Sequence, residues 1–320
     1  MKTVALIPFK NEEWILEPCL ASLKSVADEI IGCDDGSTDR SVEIMKSHGA
    51  VVISNQDREI SGWAEHSIRQ RLLEHGRKRG GTHFICIDAD EAIASHSTRG
   101  LRARLPTMKP GERLCLQWIA LWKSPRKYRA DASVWSNNFK DFVFCDDGAS
   151  THDYAFLGVG RTPGKHSPET TIRLPAEEAC MLHFQAVPWA RYQMKQAWYR
   201  CSELIKTPRD FWAINEKYSI TLEDPNAGLL TTPDEWMESI PIRDDLTAVS
   251  PETHKRQILE YFELHGAKFF EPLEIWHIPE LRQDFLRRVG RNPRVDFVTS
   301  IRKWKQAIRA KTHRHLGWLS

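Results

Sequence analysis

The 320 residues carry 45 Lys and Arg against 43 Asp and Glu, and the net charge of +2 is too small to mark a nucleic-acid binder. Apolar residues make up 41% of the chain and charged residues 28%, a globular composition that excludes wholesale disorder. No apolar run reaches the roughly 18 residues of a transmembrane helix. The short run that opens MKTVALIPFKNEE stops at Pro8, so it reads as a strand and not as a secretory signal. The seven cysteines are odd in number, form no CxxC pair and sit mostly in apolar stretches. They read as small hydrophobes in a reducing compartment, against zinc and against a disulfide framework, and a cytoplasmic location is expected.

Taken in chain order, the first third alternates strand and helix. Val4–Ile7 is a short apolar run fit for a buried strand. Leu16, Cys19, Leu20 and Leu23 repeat at helical spacing, with Pro18 tolerated in the first turn. Glu29–Cys33 is a second strand, Thr38 or Asp39 caps a helix through Ser47, and Ala50–Ser54 is a third strand. A helix from Trp63 to Lys78 stops at Gly80-Gly81, and His83–Ile87 is a fourth strand. Strands apolar on both faces and separated by helices predict a mostly parallel α/β sheet covered on both sides. Glu112–Trp122 reads as another strand, residues 123–178 as irregular, Ala179–Phe184 as a strand and Pro188–Lys206 as a helix. A Pro- and Asp-rich stretch near 223–251 suggests a boundary, with amphipathic helices beyond it.

Three polar motifs directly follow three of these strands: Pro8-Phe9-Lys10-Asn11-Glu12-Glu13, Asp34-Asp35-Gly36-Ser37-Thr38-Asp39 and Asp88-Ala89-Asp90-Glu91. In the common doubly wound order the first and fourth strands are neighbours at the switch point, and all three motifs converge on one crevice there. Carboxylates repel a diphosphate unless a cation lies between them. Asp88 and Asp90 suit a divalent ion and a ribose hydroxyl, with phosphates and water completing the shell. An acid of the second motif suits a base N–H or a ribose hydroxyl. Neither GxGxxG nor a P-loop occurs, which argues against a dinucleotide and against ATP hydrolysis.

IPFKNEE, CDDGSTD and IDADE, in this order and each at a strand end, closely resemble the N-terminal pattern of the family 2 glycosyltransferases of GT-A fold, with Lys10 standing where an aromatic is usual. The match covers about residues 1–95 and fades through 100–178, while Leu182 to Arg200 looks like the His-bearing strand and following helix of bacterial envelope-polysaccharide members. The resemblance implies a GT-A Rossmann-like sheet over residues 1–225, with a nucleotide-binding part (1–95) and an acceptor part (96–225), then a C-terminal helical region over 226–320. It implies a hexosyltransferase-type enzyme that moves a sugar, with inversion, from a nucleoside-diphosphate sugar to a saccharide or glycolipid acceptor in envelope polysaccharide synthesis. Pro8, Asn11 and Glu12 would line the nucleoside, Asp34 and Asp35 would contact base and ribose, and Asp88 would approach the ribose. Asp90, with Asp88 and His183, would hold Mn²⁺ or Mg²⁺. A basic residue on the helix before the third motif is matched best by Arg69, with Arg71 the alternative.

An inverting displacement needs a general base for the acceptor hydroxyl. Glu169, just upstream of the His183 strand, is the first candidate. Glu91 and His166 compete with it, and Glu177 and Glu178 stay open. Trp118, Trp122, Trp135, Trp189 and Trp198 suit either sugar stacking or core packing. Val298, Ile301, Trp304 and Ile308 recur on one face of a basic C-terminal helix, which reads as a peripheral contact with anionic membrane or as a helix packed on its own domain. Rival readings are a nucleotidyltransferase, although IPFKNEE lacks the Gly- and Arg-rich loop of that class, a nucleotide-sugar-binding protein without activity, and a membrane or nucleic-acid binder acting through the basic tail.

Overall fold

The computed structural model describes residues 1–55, 65–131, 136–152, 160–219 and 228–294. The chain divides into two compact units, one of residues 1–189 and 225–249, the other of residues 190–224 and 250–320.

The first unit opens with β1 (Thr3–Phe9), α1 (Leu16–Leu23), β2 (Glu29–Asp34), α2 (Ser41–Ser47), β3 (Val51–Ser54), α3 (Glu65–Lys78) and β4 (His83–Cys86). All seven residues of β1 are buried, because the strand is covered on both faces. Ala5, Ile7 and Phe9 enter a core with Leu16, Leu20 and Leu23 of α1, while Val4 and Leu6 enter another with Ile68 and Leu72 of α3. Each such aliphatic side chain contributes about 1.5–3 kcal/mol by leaving water. β1 pairs in parallel with β2 on one side and with β4 on the other, and β2 pairs in parallel with β3. The order β3-β2-β1-β4 therefore places the ends of β1 and β4 side by side, as the doubly wound pattern requires.

Beyond β4 the chain adds β5 (Glu91–Ile93), α4 (Ser97–Arg104), β6 (Arg113–Trp122), β7 (Lys127–Arg129), β8 (Phe139–Cys145), β9 (Thr171–Arg173) and β10 (Cys180–Ala186). The segment 123–178, which reads as irregular, thus holds three strands. β8 is an inner one, antiparallel to both β4 and β6. Its first half is only partly buried, and Lys140 and Asp141 interrupt the apolar pattern that marks the other inner strands. β6 then pairs in parallel with β10, and β10 pairs antiparallel with β5. After α5 (Trp189–Lys206) and α6 (Phe211–Lys217), the chain returns to the first unit as β11 (Leu229–Thr231), an edge strand on β7, and α7 (Asp234–Met237). All seven cysteines are buried and free.

The second unit is helical. Met194, Ala197, Cys201 and Leu204 lie along one face of α5 and are buried with Ile258 and Phe262 of α8 (Glu252–His265) and Leu281 and Phe285 of α9 (Pro279–Val289). No helix of the described residues is long and apolar enough to cross a membrane. The C-terminal segment holding Val298, Ile301, Trp304 and Ile308 lies outside the described residues, as do Trp63 and Trp135.

Gly100 of α4 lies where the chain runs into β10. A Cβ there would stand 2.5 Å from the backbone oxygen of Glu178. On an open helix surface Gly→Ala gains up to about 1 kcal/mol. Here the obstacle is backbone, and relieving it costs about 1–3 kcal/mol. Gly100→Ala is expected to lower Tm by several degrees in a thermal melt, and an unchanged or raised Tm would show that the contact yields freely.

Candidate active site

The first two strand-end motifs are sewn to each other. Phe9 is level with Asp34, so the chain leaves β1 and β2 at the same height. Asn11 takes a positive φ of 54°, which asparagine tolerates, and Gly36 takes one of 83°. The Asn11 N–H donates to Ser37 Oγ at 3.0 Å, and Asn11 Oδ1 accepts from the Thr38 N–H at 2.7 Å. Ser41 Oγ accepts from the Glu12 N–H at 2.8 Å, and an Asp39 carboxylate oxygen accepts from the Glu13 N–H at 3.1 Å. Glu12 also accepts from the Trp14 indole. Asp34 accepts from the Ser37 N–H at 2.9 Å, while Asp35 accepts from Asn55 Nδ2 at 2.7 Å and lies 3.5 Å from Lys10 Nζ. Pro8 is buried in β1, and the two aspartates are each 7% exposed.

The third motif is a buried ion cluster. Asp88 is half-buried between two guanidinium groups, Arg69 at 2.6 Å and Arg161 at 2.7 Å. Burial pushes its carboxyl up, but the two arginines outweigh it and hold it at about 2. Arg71, the alternative to Arg69, reaches Asn55 instead, at 3.4 Å. Glu91 is fully buried, accepts three N–H bonds and meets a fourth nitrogen in an ion pair. Trp118 Nε1 and one Arg161 nitrogen meet Oε1, each at 2.6 Å. The Asp88 N–H at 2.9 Å and the other Arg161 nitrogen at 2.7 Å meet Oε2. Burial favours protonation of Glu91 and Arg161 opposes it. Four such nitrogens and no acceptor leave room only for the carboxylate.

Asp90 and His183 meet at the crevice because β5 and β10 pair antiparallel with His183 level with Glu91. His183 Nε2 stands 3.6 Å from an Asp90 carboxylate oxygen, and both side chains are 8% exposed. Trp118 stacks on His183 with ring centroids 4.1 Å apart, so the indole that bonds Glu91 also holds the imidazole. Burial lowers the pKa of His183 against the pull of Asp90 and favours the neutral ring. A carboxylate and a neutral imidazole at this spacing are a donor pair that fits Mn²⁺, and less well Mg²⁺. Among the described residues no three His, Cys, Asp or Glu side chains gather as a metal cage, so a cation here relies on this pair and on ligand oxygens.

A cavity of about 700 Å³ opens beside the cluster, within the range of small-molecule sites. Glu65, Arg69, Asp88 and Arg161 line it from the β4 side, and Lys140, Asp141 and His166 from β8 and the loop that follows it. Lys140 Nζ stands 3.6 Å over the Trp118 ring, and burial lowers its pKa. His166 Nδ1 bonds Asp141 at 2.8 Å. Glu169 is exposed, bonds through its N–H to Ser167 Oγ at 3.3 Å, and is not among the residues that line the cavity. Glu178 pairs with Arg104 at 2.7 Å, on the far side of β10's entry. Trp122 packs in the core against Trp189, and Trp198 lies in the helical unit. The sequence reading missed Arg161, Asp141, Lys140 and Asn55. A buried arginine in a polar loop carries no local signal. Asp141 and Lys140 sit on the strand that was read as irregular, and Asn55 was visible only as the residue that ends β3.

Among solved structures, that of glucosyl-3-phosphoglycerate synthase from Mycobacterium tuberculosis with phosphoglyceric acid is 22% identical over 37% of this chain and 44% of that chain, with a TM-score of 0.29. The same synthase with Mn²⁺, uridine diphosphate and glucosyl-3-phosphoglycerate gives the same figures, 22%, 37%, 44% and 0.29. A crystal structure described as a mycobacterial protein is 21% identical over 37% of this chain and 41% of that chain, again at 0.29. The chain spans less than half the length of these structures. Residues 4–103, which hold all three strand-end motifs, match the family model described as Glycosyl transferase family 2.

Proposed function

We propose that the protein transfers a sugar from a nucleoside-diphosphate sugar to a hydroxyl of a saccharide or glycolipid, with inversion, in envelope polysaccharide synthesis, as a hexosyltransferase. The observation that carries the reading is the meeting of the three motifs of β1, β2 and β4 with His183 of β10 at one switch-point crevice. Residues 1–95 serve the donor in this reading and 96–225 the acceptor, with residues 226–320 a helical region. Asp34 and Asp35 accept from base and ribose, beside Pro8, Asn11 and Glu12. Asp88 faces the ribose and is kept ionised by Arg69 and Arg161. Those two arginines carry the positive charge nearest to a diphosphate in the cavity they line.

Asp90 and His183 would hold the divalent cofactor, Mn²⁺ or Mg²⁺, while Asp88 is engaged by Arg69 and Arg161. When bound, the ion supplies charge that neutralises a departing diphosphate. Trp118 fixes the ring of His183, and Glu91 fixes Trp118. Glu91, with both oxygens committed, orients its neighbours and stays out of proton transfer in this reading.

Asp90→Ala is expected to abolish sugar transfer while the melting curve stays cooperative, and EDTA is expected to silence the wild type. Activity that survives both would remove the metal from the reading. Asp34→Asn with Asp35→Asn keeps size and acceptor atoms but removes charge. The loss of charge-assisted bonds should weaken donor binding by about 10-fold or more and leave Mn²⁺ binding intact in isothermal titration. Equal donor affinity would take the nucleoside away from this turn. The basic, Trp-bearing segment from Val298 onward supports a peripheral contact with anionic lipid. Flotation with phosphatidylglycerol liposomes at low salt should recover the full chain and not a chain ending before Val298. Equal recovery of both, or of neither, would count against the contact.

A further inference from the structure

We infer that the general base is a dyad, His166 taking the proton and Asp141 holding its ring, and that Glu169 has no part in proton transfer; the inference rests on the transferase reading of the cavity.

The carboxylates that line the cavity are engaged. Of the side chains that line it, Glu65 is engaged by Arg69 at 2.7 Å and Asp88 by Arg69 and Arg161. Cys115 is a thiol, pushed up to about 12 by burial and then by Asp141. Glu91 lies behind the wall with every lone pair that faces a donor in use. His166 is different. Its Nδ1 donates to Asp141 Oδ2 at 2.8 Å, and Thr171 Oγ1 stands 3.4 Å from the same nitrogen. Nε2 makes no hydrogen bond to a described residue, the side chain is 58% exposed, and it lines the cavity. With the proton on Nδ1, Nε2 carries the lone pair.

Asp141 is what makes this a built arrangement. It sits on β8, paired with Cys115 of β6, in the inner part of the sheet, and its side chain is 11% exposed. A loop histidine is thereby tied to the strand next to β4, beyond whose end lies Asp88. A carboxylate on the far nitrogen fixes the tautomer and stabilises the imidazolium as it forms, the logic of hydrolase triads. In the transfer, the acceptor hydroxyl oxygen bonds to the anomeric carbon as the bond from that carbon to the β-phosphate oxygen breaks. The electron pair leaves with the nucleoside diphosphate. The hydroxyl proton moves to His166 Nε2 and then to solvent.

The test uses the full chain with Mn²⁺ and a panel of UDP-glucose, UDP-galactose, GDP-mannose and dTDP-rhamnose. It follows nucleoside diphosphate release, with water or added saccharides as acceptor, and donor affinity by isothermal titration. His166→Ala should lose on the order of 100-fold or more in kcat with donor affinity unchanged, and added free imidazole should restore part of the rate. Asp141→Asn should lose on the order of 10-fold or more in kcat with KM for donor unchanged, and Asp141→Glu should recover part of it. A His166→Ala protein within about threefold of wild type, or one whose rate imidazole leaves unchanged, overturns the dyad. So does a 100-fold loss in Glu169→Gln with donor affinity intact, which hands the role to Glu169. A wild type that binds no member of the panel overturns the transferase reading, and the dyad with it.

Discussion

The arrangement turns on one buried ion cluster, in which Arg161 grips Asp88 and Glu91 together at the end of β4. Arg161 is 9% exposed and Glu91 is fully buried. Charges taken so far out of water cost several kcal/mol each unless paired and hydrogen-bonded, and removing one partner of such a pair costs about 3–5 kcal/mol. The cluster meets that cost with three N–H bonds and an ion pair on Glu91 and two guanidiniums on Asp88. Arg161 comes from a polar loop some 70 residues beyond the acids it binds. It therefore fastens the loop that leads to His166 onto the segment between β4 and β5 that carries Asp88 and Asp90.

From Glu91 the constraint passes to the metal-fitting pair. One carboxylate oxygen takes the Trp118 N–H, the indole face stacks on His183, and His183 Nε2 turns to Asp90. Each link is held by a different strand, β5, β6 and β10, so sheet register sets the spacing and side-chain flexibility does not. Lys140, from β8, stands on the other contact of the indole and adds a cation to its face. An aromatic at position 118 alone would fill the space. Only an indole fills it and also donates into the buried acid.

Much of the donor half was legible because its signals are local. β1, β2 and β4 are apolar on both faces, end in turn-forming polar residues and alternate with helices, so both the parallel sheet and the crevice follow from pattern. Arg69 came instead from the family resemblance, with Arg71 as the alternative, and it is Arg69 that pairs with Asp88. The other half was not legible. β8 reads as irregular because Lys140 and Asp141 face a cavity instead of a core, and its pairing with β4 and β6 joins residues far apart in sequence. Arg161 announces itself only through the acids it meets. Glu169 and His166 both belong to the loop ahead of β9, and the family resemblance, which implies an acid there, put the glutamate first. Tertiary contacts separate them: His166 is tied to a strand and lines the cavity, and Glu169 faces solvent.

The same division explains how charge is distributed around the cavity. On the β4 side each acid has an arginine, so Asp88 presents little net negative charge to an incoming diphosphate. On the β8 side Asp141 pairs with a histidine, whose charge depends on whether it holds a proton, and not with an arginine among the described residues. A reaction that moves negative charge onto a leaving diphosphate and a proton onto the acceptor side needs that asymmetry. In the proposed transfer the arginines would be fixed cations for the first movement, and the imidazole would be the receiver for the second. Glu91, buried and bound to Arg161 and Trp118, would take part in neither movement in that proposal and would hold its two partners in place.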